Sequence, residues 1–232
     1  MSPHTPAALS GLAGSRFDAV LFDMDGTLID STRAVERAWE RWSHELGIGN
    51  PFGKQGHGRP AEDLVREVVA PEQAAAAVIR LRQLEEDDTD GVIALPGVQR
   101  LLSSIPAANW AIVTSCTRDL AFARLGAANL PLPTHMITFD DVDAGKPSAD
   151  PFLLGARRLG VDPARCLVIE DTAAGLNSGR AAGCTTLAVT GTQPLHELRS
   201  HADHVVSSLE ELVLVARASA LEVVRGGGYL GK

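Results

Sequence analysis

The chain has 232 residues, of which 45% are hydrophobic and 22% are charged, values typical of a globular protein that can bury its own core. Its formal net charge is -8 and it contains no block of Lys or Arg, so the composition argues against a nucleic-acid-binding protein. No run approaches the roughly 18 apolar residues that a membrane-spanning helix requires.

The first fifteen residues lack the apolar core of a signal peptide. The three cysteines are odd in number and lack the spacing of a metal site, so reduced thiols are expected. These features predict a cytoplasmic protein that binds neither nucleic acid nor membrane. A monomer is the default expectation, since no segment indicates an interface.

Short apolar runs follow a lead-in, residues 1–16, that is predicted to be disordered. The runs are 18–22 (DAVLF), 110–113 (WAIV), 136–139 (MITF), 166–169 (CLVI), 185–189 (TTLAV) and, as a candidate sixth, Val205-Val206. They are rich in β-branched residues and do not alternate, as expected of strands buried on both faces of a parallel sheet. Helix-like stretches lie between them, at 119–128, 149–159 and 175–182. This alternation predicts an α/β fold with a Rossmann-like, doubly wound parallel sheet.

Residues 30–95 interrupt the alternation with three helical patterns and no convincing strand. Asp30 and Ser31 are expected to cap the first of these helices. Pro60 and Pro71 are expected to begin the second and third, because proline is favoured in the first helical turn. The segment is therefore predicted to be a helical insertion that sits above the sheet.

Within the insertion, Trp39 and Trp42 stand at helical spacing and are predicted to form its core. The acidic run 85–90 is predicted to be a solvated helix end and loop. The resulting domain division is a lead-in at 1–16, an α/β core at 17–29 and 96–232, and a helical cap domain at 30–95.

Polar residues follow the predicted strands at their carboxyl ends: Asp23, Asp25, Thr114, Ser115, Glu170 and Asp171, with Lys146 in the loop after the third strand. Because the carboxyl ends of strands in an open α/β sheet form the ligand crevice, we expect these side chains to converge. Several carboxylates at one edge repel each other unless a hard cation lies among them, and an all-oxygen ligand set suits Mg²⁺. A carboxylate that remains free can attack phosphorus, helped by the positive charge of lysine.

Four segments, in this order along the chain, resemble the motifs of the haloacid dehalogenase superfamily in its phosphotransferase form. They are 23–28 (DMDGTL), 112–115 (IVTS), 145–147 (GKP) and 169–172 (IEDT). The resemblance extends over residues 17–210. It implies a Mg²⁺-dependent phosphatase that acts on a small phosphorylated metabolite through an aspartyl-phosphate intermediate.

The resemblance also implies a role for each motif residue. Asp23 would be the nucleophile and a metal ligand. Asp25 would protonate the leaving oxygen and then activate water, with its main-chain carbonyl on the metal. Thr114 would bind the transferring phosphoryl group, helped by the N–H of Ser115.

The later motifs would complete the site. Lys146 would stabilise charge on the nucleophile and the phosphoryl group. Asp171 would be a metal ligand, and Glu170 either a ligand or a partner of one. Residues 30–95 match the C1-type helical cap that such enzymes place after the first motif, where it excludes water from the site.

Three segments, 30–36, 57–60 and 110–115, make the chain look most like the sugar phosphatases related to 2-deoxyglucose-6-phosphatase and glycerol-3-phosphatase. His57 and Arg59 would then be substrate-binding residues of the cap, or else exposed loop residues. A sugar or polyol phosphate is the expected substrate.

Two alternatives remain beside the phosphatase. A phosphomutase of the β-phosphoglucomutase type shares core and cap, and Arg59 falls where it would hold the non-transferring phosphate. Such mutases typically carry a histidine where this chain has Val35, which argues against that reaction. The second alternative is a non-catalytic phosphate-binding protein on the same fold. A dehalogenase is disfavoured, because its chemistry uses no magnesium and has little use for Asp25.

Overall fold

The computed structural model describes residues 7–8, 11–53, 61–217 and 220–225. In chain order the strands are β1 (Ala7–Ala8), β2 (Arg16–Phe17), β3 (Ala19–Phe22), β4 (Ile29–Asp30), β5 (Ile93–Ala94), β6 (Trp110–Val113), β7 (Met136–Ile137), β8 (Cys166–Glu170), β9 (Thr185–Val189), β10 (His204–Val206), β11 (Leu212–Arg217) and β12 (Ala220–Arg225). The α-helices are α1 (Thr32–Leu46), α2 (Ala61–Val68), α3 (Pro71–Asp87), α4 (Val98–Ser104), α5 (Arg118–Ala127), α6 (Asp150–Leu159), α7 (Ala173–Ala181) and α8 (Leu195–Leu198).

Seven strands form the central sheet, in the order β1-β10-β9-β8-β3-β6-β7, and every pairing in it is parallel. All six predicted strands are present, although β7 stops two residues before the predicted end. The predicted α/β fold with a doubly wound parallel sheet is confirmed.

Successive residues of β3 show why the sheet is covered on both faces. Val20 and Phe22 contribute to one apolar cluster, and Ala19 and Leu21 to a second on the opposite face. Helices α4 and α5 add side chains to the first cluster, and α6 adds side chains to the second. All four residues of β3 are buried, which explains the continuous apolar run that precedes the first motif.

The helical segment between β4 and β5 consists of α1, α2 and α3. β4 pairs with β5 in an antiparallel ladder, so both ends of the segment leave the core at the same place. Trp39 and Trp42 lie in its apolar cluster, as predicted, with ring centroids 5.3 Å apart. At the start of α1 the backbone N–H of Thr32 donates to Asp30 at 3.0 Å, whereas the Ser31 side chain makes no cap bond.

The ends of the chain differ from prediction. Ala7–Ala8 pairs with β10 and Leu12 is 1% exposed in the main core, so this part of the lead-in is ordered. A second sheet, in which β12 pairs antiparallel with both β11 and β2, was not predicted. Leu212 and Leu214 alternate with half-buried valines, and this period of two is the signal for β11.

Among the described helices, none has the length and apolar character needed to cross a membrane.

Candidate active site

Three carboxylates meet at the carboxyl edge of the central sheet. The backbone N–H of Asp23 donates to the carbonyl of Ile169 at 2.9 Å, which extends the β3–β8 pairing and sets Asp23 beside the end of β8. Asp23, Glu170 and Asp171 each offer an oxygen within 4.8 Å of the others, and all three residues are buried. The predicted convergence of the first and fourth motifs is therefore present.

Lys146 enters this cluster from the loop after β7. Its Nζ donates to Oδ1 of Asp23 at 2.6 Å, to Oε1 of Glu170 at 2.8 Å and to the carbonyl of Val113 at 2.8 Å. Its side chain is 6% exposed. Burial alone would lower the pKa of Lys146, but attraction to Asp23 and Glu170 raises it, so the ammonium stays charged.

One ammonium does not balance three buried carboxylates. Burial raises the pKa of Asp23 to about 7, against the attraction of Lys146, and burial with the repulsion of Glu170 raises the pKa of Asp171 well above its ordinary value. Oδ2 of Asp171 is buried and makes no hydrogen bond of standard geometry to a described residue, although the nearby Thr192 side chain partly offsets the rise in this carboxyl's pKa. An uncompensated, all-oxygen cluster with one free buried oxygen fits a hard divalent cation.

Glu170 is more fully hydrogen-bonded than Asp171. Its Oε1 binds Lys146, and its Oε2 accepts from the backbone N–H of Asp171 at 2.9 Å and from the N–H and hydroxyl of Thr172, both at 2.8 Å. These bonds fix the loop that carries Asp171. The sequence suggested Glu170 as either a ligand or a ligand's partner, and this geometry favours the partner.

Gly26 makes the approach of Asp171 possible. Its φ is +85°, a left-handed conformation that side-chain-bearing residues rarely adopt, and a Cβ at this position would collide with Oδ2 of Asp171. Both the turn after Asp25 and the close approach of Asp171, a proposed metal ligand, therefore require that Gly26 has no side chain.

We expect Gly26→Ala to lower the hydrolytic activity that the motifs predict by about 10²-fold, because displacing a site group by about 1 Å has an effect of that size. Gly183 is the matched control: its φ is +84°, and nothing lies within 4 Å of a Cβ built there. Both substitutions carry a backbone strain of roughly 1–2 kcal/mol. Melting temperature and kcat measured on both variants separate the effects; equal activity losses would show that strain alone is responsible.

Asp25 lies in a different set of contacts. Its Oδ1 accepts from Ser31 at 2.6 Å and from Nη1 of Arg124 at 2.9 Å, and its Oδ2 accepts from the thiol of Cys116 at 3.0 Å. Its side chain is 26% exposed, whereas that of Asp23 is 9% exposed. Asp25 is thus partly open to solvent and pairs with Arg124, whereas Asp23 is buried and pairs with Lys146.

The second motif lies next to the lysine. The backbone N–H of Thr114 donates to the carbonyl of Ile137 at 2.9 Å, and its buried hydroxyl accepts from the N–H of Cys116 at 3.1 Å. Ser115 is exposed directly after it. The predicted cap residues His57 and Arg59 lie outside the described residues.

The sequence patterns did not identify Arg124 or its partner Glu85 on α3 of the helical segment. The acidic run was predicted to be solvated, but the Glu85 side chain is 12% exposed and lies 3.4 Å from Nη2 of Arg124, so that prediction is wrong for this residue. The signal for Arg124 was available: it follows Leu120 by four positions, on the face of α5 that is buried. A charged residue on an apolar helix face requires a buried partner.

The fold and site are those of an α/β protein with a doubly wound parallel sheet and a buried carboxylate–lysine cluster at its carboxyl edge. Residues 17–183 match the family model described as haloacid dehalogenase-like hydrolase. The chain belongs to this family, as its four motifs predicted.

Named relatives cover nearly the whole chain. Hexitol phosphatase A of Escherichia coli is 39% identical over 90% of this chain and 100% of its own length. Glycerol-1-phosphate phosphohydrolase 1 of Saccharomyces cerevisiae is 30% identical over 88% of this chain and 87% of its own. A crystal structure of a hydrolase from Pseudomonas syringae superposes with a TM-score of 0.72 at 30% identity, covering 83% of this chain and 94% of that one. The relatives agree with the predicted class of phosphoric monoester hydrolases.

Proposed function

We propose that this protein is a Mg²⁺-dependent phosphatase of sugar or polyol monophosphates, with Asp23 as the nucleophile. The observation that carries the proposal is the buried cluster in which Lys146 binds Asp23 and Glu170 while an oxygen of Asp171 remains free. The names of the relatives, a hexitol phosphatase and a glycerol-1-phosphate phosphohydrolase, support the substrate class.

The chain's own residues supply a balanced two-step reaction. An oxygen of Asp23 attacks phosphorus, and the bond between phosphorus and the ester oxygen breaks. The carboxyl group of Asp25 gives its proton to that leaving oxygen, so the free alcohol departs. Water then attacks the phosphorus of the aspartyl phosphate and gives a proton to Asp25, while the bond between phosphorus and the Asp23 oxygen breaks. Inorganic phosphate leaves, Asp23 is again a carboxylate and Asp25 is again protonated.

Lys146 and Thr114 act on the phosphoryl group that is transferred. The ammonium lies against Asp23 and so stands beside the phosphoryl oxygens when they arrive, where it offsets negative charge. Thr114 follows directly on Val113, whose carbonyl also binds Lys146, so Thr114 lies next to the lysine at the sheet edge.

The proposed Mg²⁺ would be held by the carboxylates of Asp23 and Asp171 and by the main-chain carbonyl of Asp25. The raised pKa values of the two carboxyl groups and the free oxygen of Asp171 support this set. The bound ion would neutralise carboxylate repulsion and draw charge from the phosphoryl oxygens. Glu170 would orient Lys146 and the Asp171 loop.

The helical segment 30–95 would act as the cap over this site. Its helix α3 packs on α5 of the core, where Thr117 donates to Glu86 at 3.1 Å. The guanidinium of Arg82 also lies 4.3 Å from the centre of the Phe139 ring. A cap in this position excludes bulk water during the first step. A monomer in the cytoplasm remains our prediction.

The phosphomutase alternative has less support. Val35, where such mutases carry a histidine, packs against the apolar cluster of the cap. A protein that binds phosphate without turnover would not need the acid–base group at Asp25. Both alternatives predict that no phosphate is released, and isomerisation of a sugar phosphate distinguishes the mutase from the binding protein.

The test is phosphate release from sorbitol 6-phosphate, glycerol 1-phosphate, 2-deoxyglucose 6-phosphate and p-nitrophenyl phosphate, with Mg²⁺ and with excess EDTA. We expect hydrolysis of at least one polyol or sugar phosphate with Mg²⁺ and its loss in EDTA, restored by added Mg²⁺. Equal activity in EDTA would contradict the metal's role. Isomerisation of β-glucose 1-phosphate without phosphate release would favour the mutase instead.

A further inference from the structure

Arg124 is a buried cation placed between the core and the cap. Its side chain is 4% exposed, and its guanidinium spans two carboxylates: Asp25 at 2.9 Å through Nη1 and Glu85 at 3.4 Å through Nη2. Burial would lower the pKa of Arg124, but attraction to Asp25 raises it. The side chain therefore carries a permanent charge that depends on these two partners.

The contacts around Asp25 fix both of its oxygens. Ser31 and Arg124 reach Oδ1, and the thiol of Cys116 reaches Oδ2. Nη1 of Arg124 also contacts the sulfur of Cys116 at 3.3 Å, so the arginine and the cysteine form one support. Of these groups only Arg124 brings a full charge, and the bond between a guanidinium and a carboxylate is the strongest of the three.

We propose that Arg124 is a positioning residue that aims the carboxyl group of Asp25 at the leaving oxygen, and that Glu85 extends this support to the cap. The inference rests on the proposed function, because it requires Asp25 to be the acid–base group. Arg124 itself is not required to touch substrate.

The cap's part follows from charge balance. Glu85 lies on α3 of the cap and Arg124 on α5 of the core, so their ion pair forms only when the two elements are packed together. Removing one partner from a buried ion pair leaves an uncompensated charge, which is strongly unfavourable. The position of Arg124, and with it the aim of Asp25, therefore depends on the cap being in place.

The test compares two esters of nearly equal shape, phenyl phosphate and p-nitrophenyl phosphate. Phenol has a pKa of about 10, like the tyrosine side chain, so its departure needs a proton from Asp25. The nitro group stabilises p-nitrophenolate, which departs with little help. The ratio of the two kcat/KM values therefore reports how well Asp25 delivers its proton, independently of contacts with a sugar.

We expect Arg124→Lys, which keeps the charge but loses the planar fork, to lower kcat/KM about tenfold or more on phenyl phosphate, which is part of the 10²–10⁴-fold contribution of general acid catalysis. The loss on p-nitrophenyl phosphate should stay below about threefold, because little general acid help is needed there. Asp25→Asn should lower the ratio of kcat/KM on phenyl phosphate to kcat/KM on p-nitrophenyl phosphate by more than Arg124→Lys does. Arg118→Lys is the control: Arg118 is on the same helix and pairs with Asp141 at 2.6 Å, and its ratio should equal that of the wild type.

The outcomes separate the inference from the proposed function. Suppose that Asp25→Asn changes the ratio but that a folded Arg124→Lys variant lowers kcat/KM equally for both esters, or for neither. The positioning role is then wrong and the proposed function stands. If Asp25→Asn leaves hydrolysis of both esters intact, the role of Asp25 itself fails, and the inference fails with it.

The role of Glu85 is tested by a double-mutant cycle on the same ratio. Glu85→Gln should shift the ratio in the wild-type background and leave it unchanged in Arg124→Lys, because Glu85 acts through the arginine. Equal shifts in both backgrounds would show that Glu85 acts independently and would remove the cap from the proposal.

Discussion

Replacing Asp23 by Asn is expected to reduce kcat on every substrate by on the order of 10⁵-fold or more, because the substitution removes the nucleophile itself. An amide has no ionisable oxygen with which to form an acyl phosphate. Its size and shape match the carboxylic acid, and its carbonyl oxygen can still accept the bond from Lys146 that now measures 2.6 Å. The fold should therefore be retained.

Stability provides the internal control for this variant. Burial raises the pKa of Asp23 to about 7, so the stability that its protonated form contributes is present below about pH 4 and is lost as pH rises through about 7. The amide side chain of the variant does not titrate, so the variant does not lose this stability as pH rises. Measured without metal, the melting temperature of Asp23→Asn relative to wild type should increase from pH 5 to pH 8. Substantial turnover by a well-folded variant would remove the nucleophile assignment.

Lys146→Met is expected to lower kcat by about 10³-fold, the size of effect seen when one preorganised electrostatic partner of a transition state is removed. The variant also leaves Asp23 and Glu170 without their shared cation, in a site where both side chains are nearly inaccessible. Breaking a buried ion pair in this way destabilises a fold by about 3 kcal/mol or more. The loss should diminish at lower pH, because protonation relieves the repulsion between the carboxylates.

Arg165→Met is the comparison for Lys146→Met. It deletes a cation that pairs with Asp18 near the opposite end of β8, where its side chain is 53% exposed. Exposed pairs contribute about 0–1 kcal/mol, so activity and melting temperature should change little. Both variants can be followed by steady-state phosphatase assays and by thermal unfolding at pH 6 and pH 8. A Lys146→Met variant with near-normal kcat would contradict the charge-stabilising role.

The central sheet could be predicted because its strands are buried on both faces. Runs such as WAIV at 110–113 are continuous and apolar, and the structure shows each residue of β6 buried. Polar residues that directly follow such runs lie at the carboxyl edge of the sheet. The positions of Asp23 and Asp171 were therefore accessible from sequence, whereas that of Lys146 depended on the order of the motifs.

The surroundings of Asp25 could not be predicted in the same way. Its partners come from the linker into α1, from the loop after β6 and from α5, and no local pattern relates these three segments. Whether Glu85 points to solvent or to Arg124 depends on how α3 packs on the core, which is a tertiary property. Sequence shows only that Arg124 occupies a buried face of its helix.

The most direct measurement of the central claim is the capture of a phosphorylated aspartate. In Asp25→Asn, p-nitrophenyl phosphate can still phosphorylate the enzyme because its leaving group needs little protonation, whereas the group that activates water is missing. After rapid quenching with a radiolabelled phosphoryl group and Mg²⁺, we expect label on the peptide that contains Asp23, sensitive to hydroxylamine and absent when Asp23 is also replaced by Asn. Phosphate release in a single turnover with no labelled protein at any time, or label on another residue, would contradict the account.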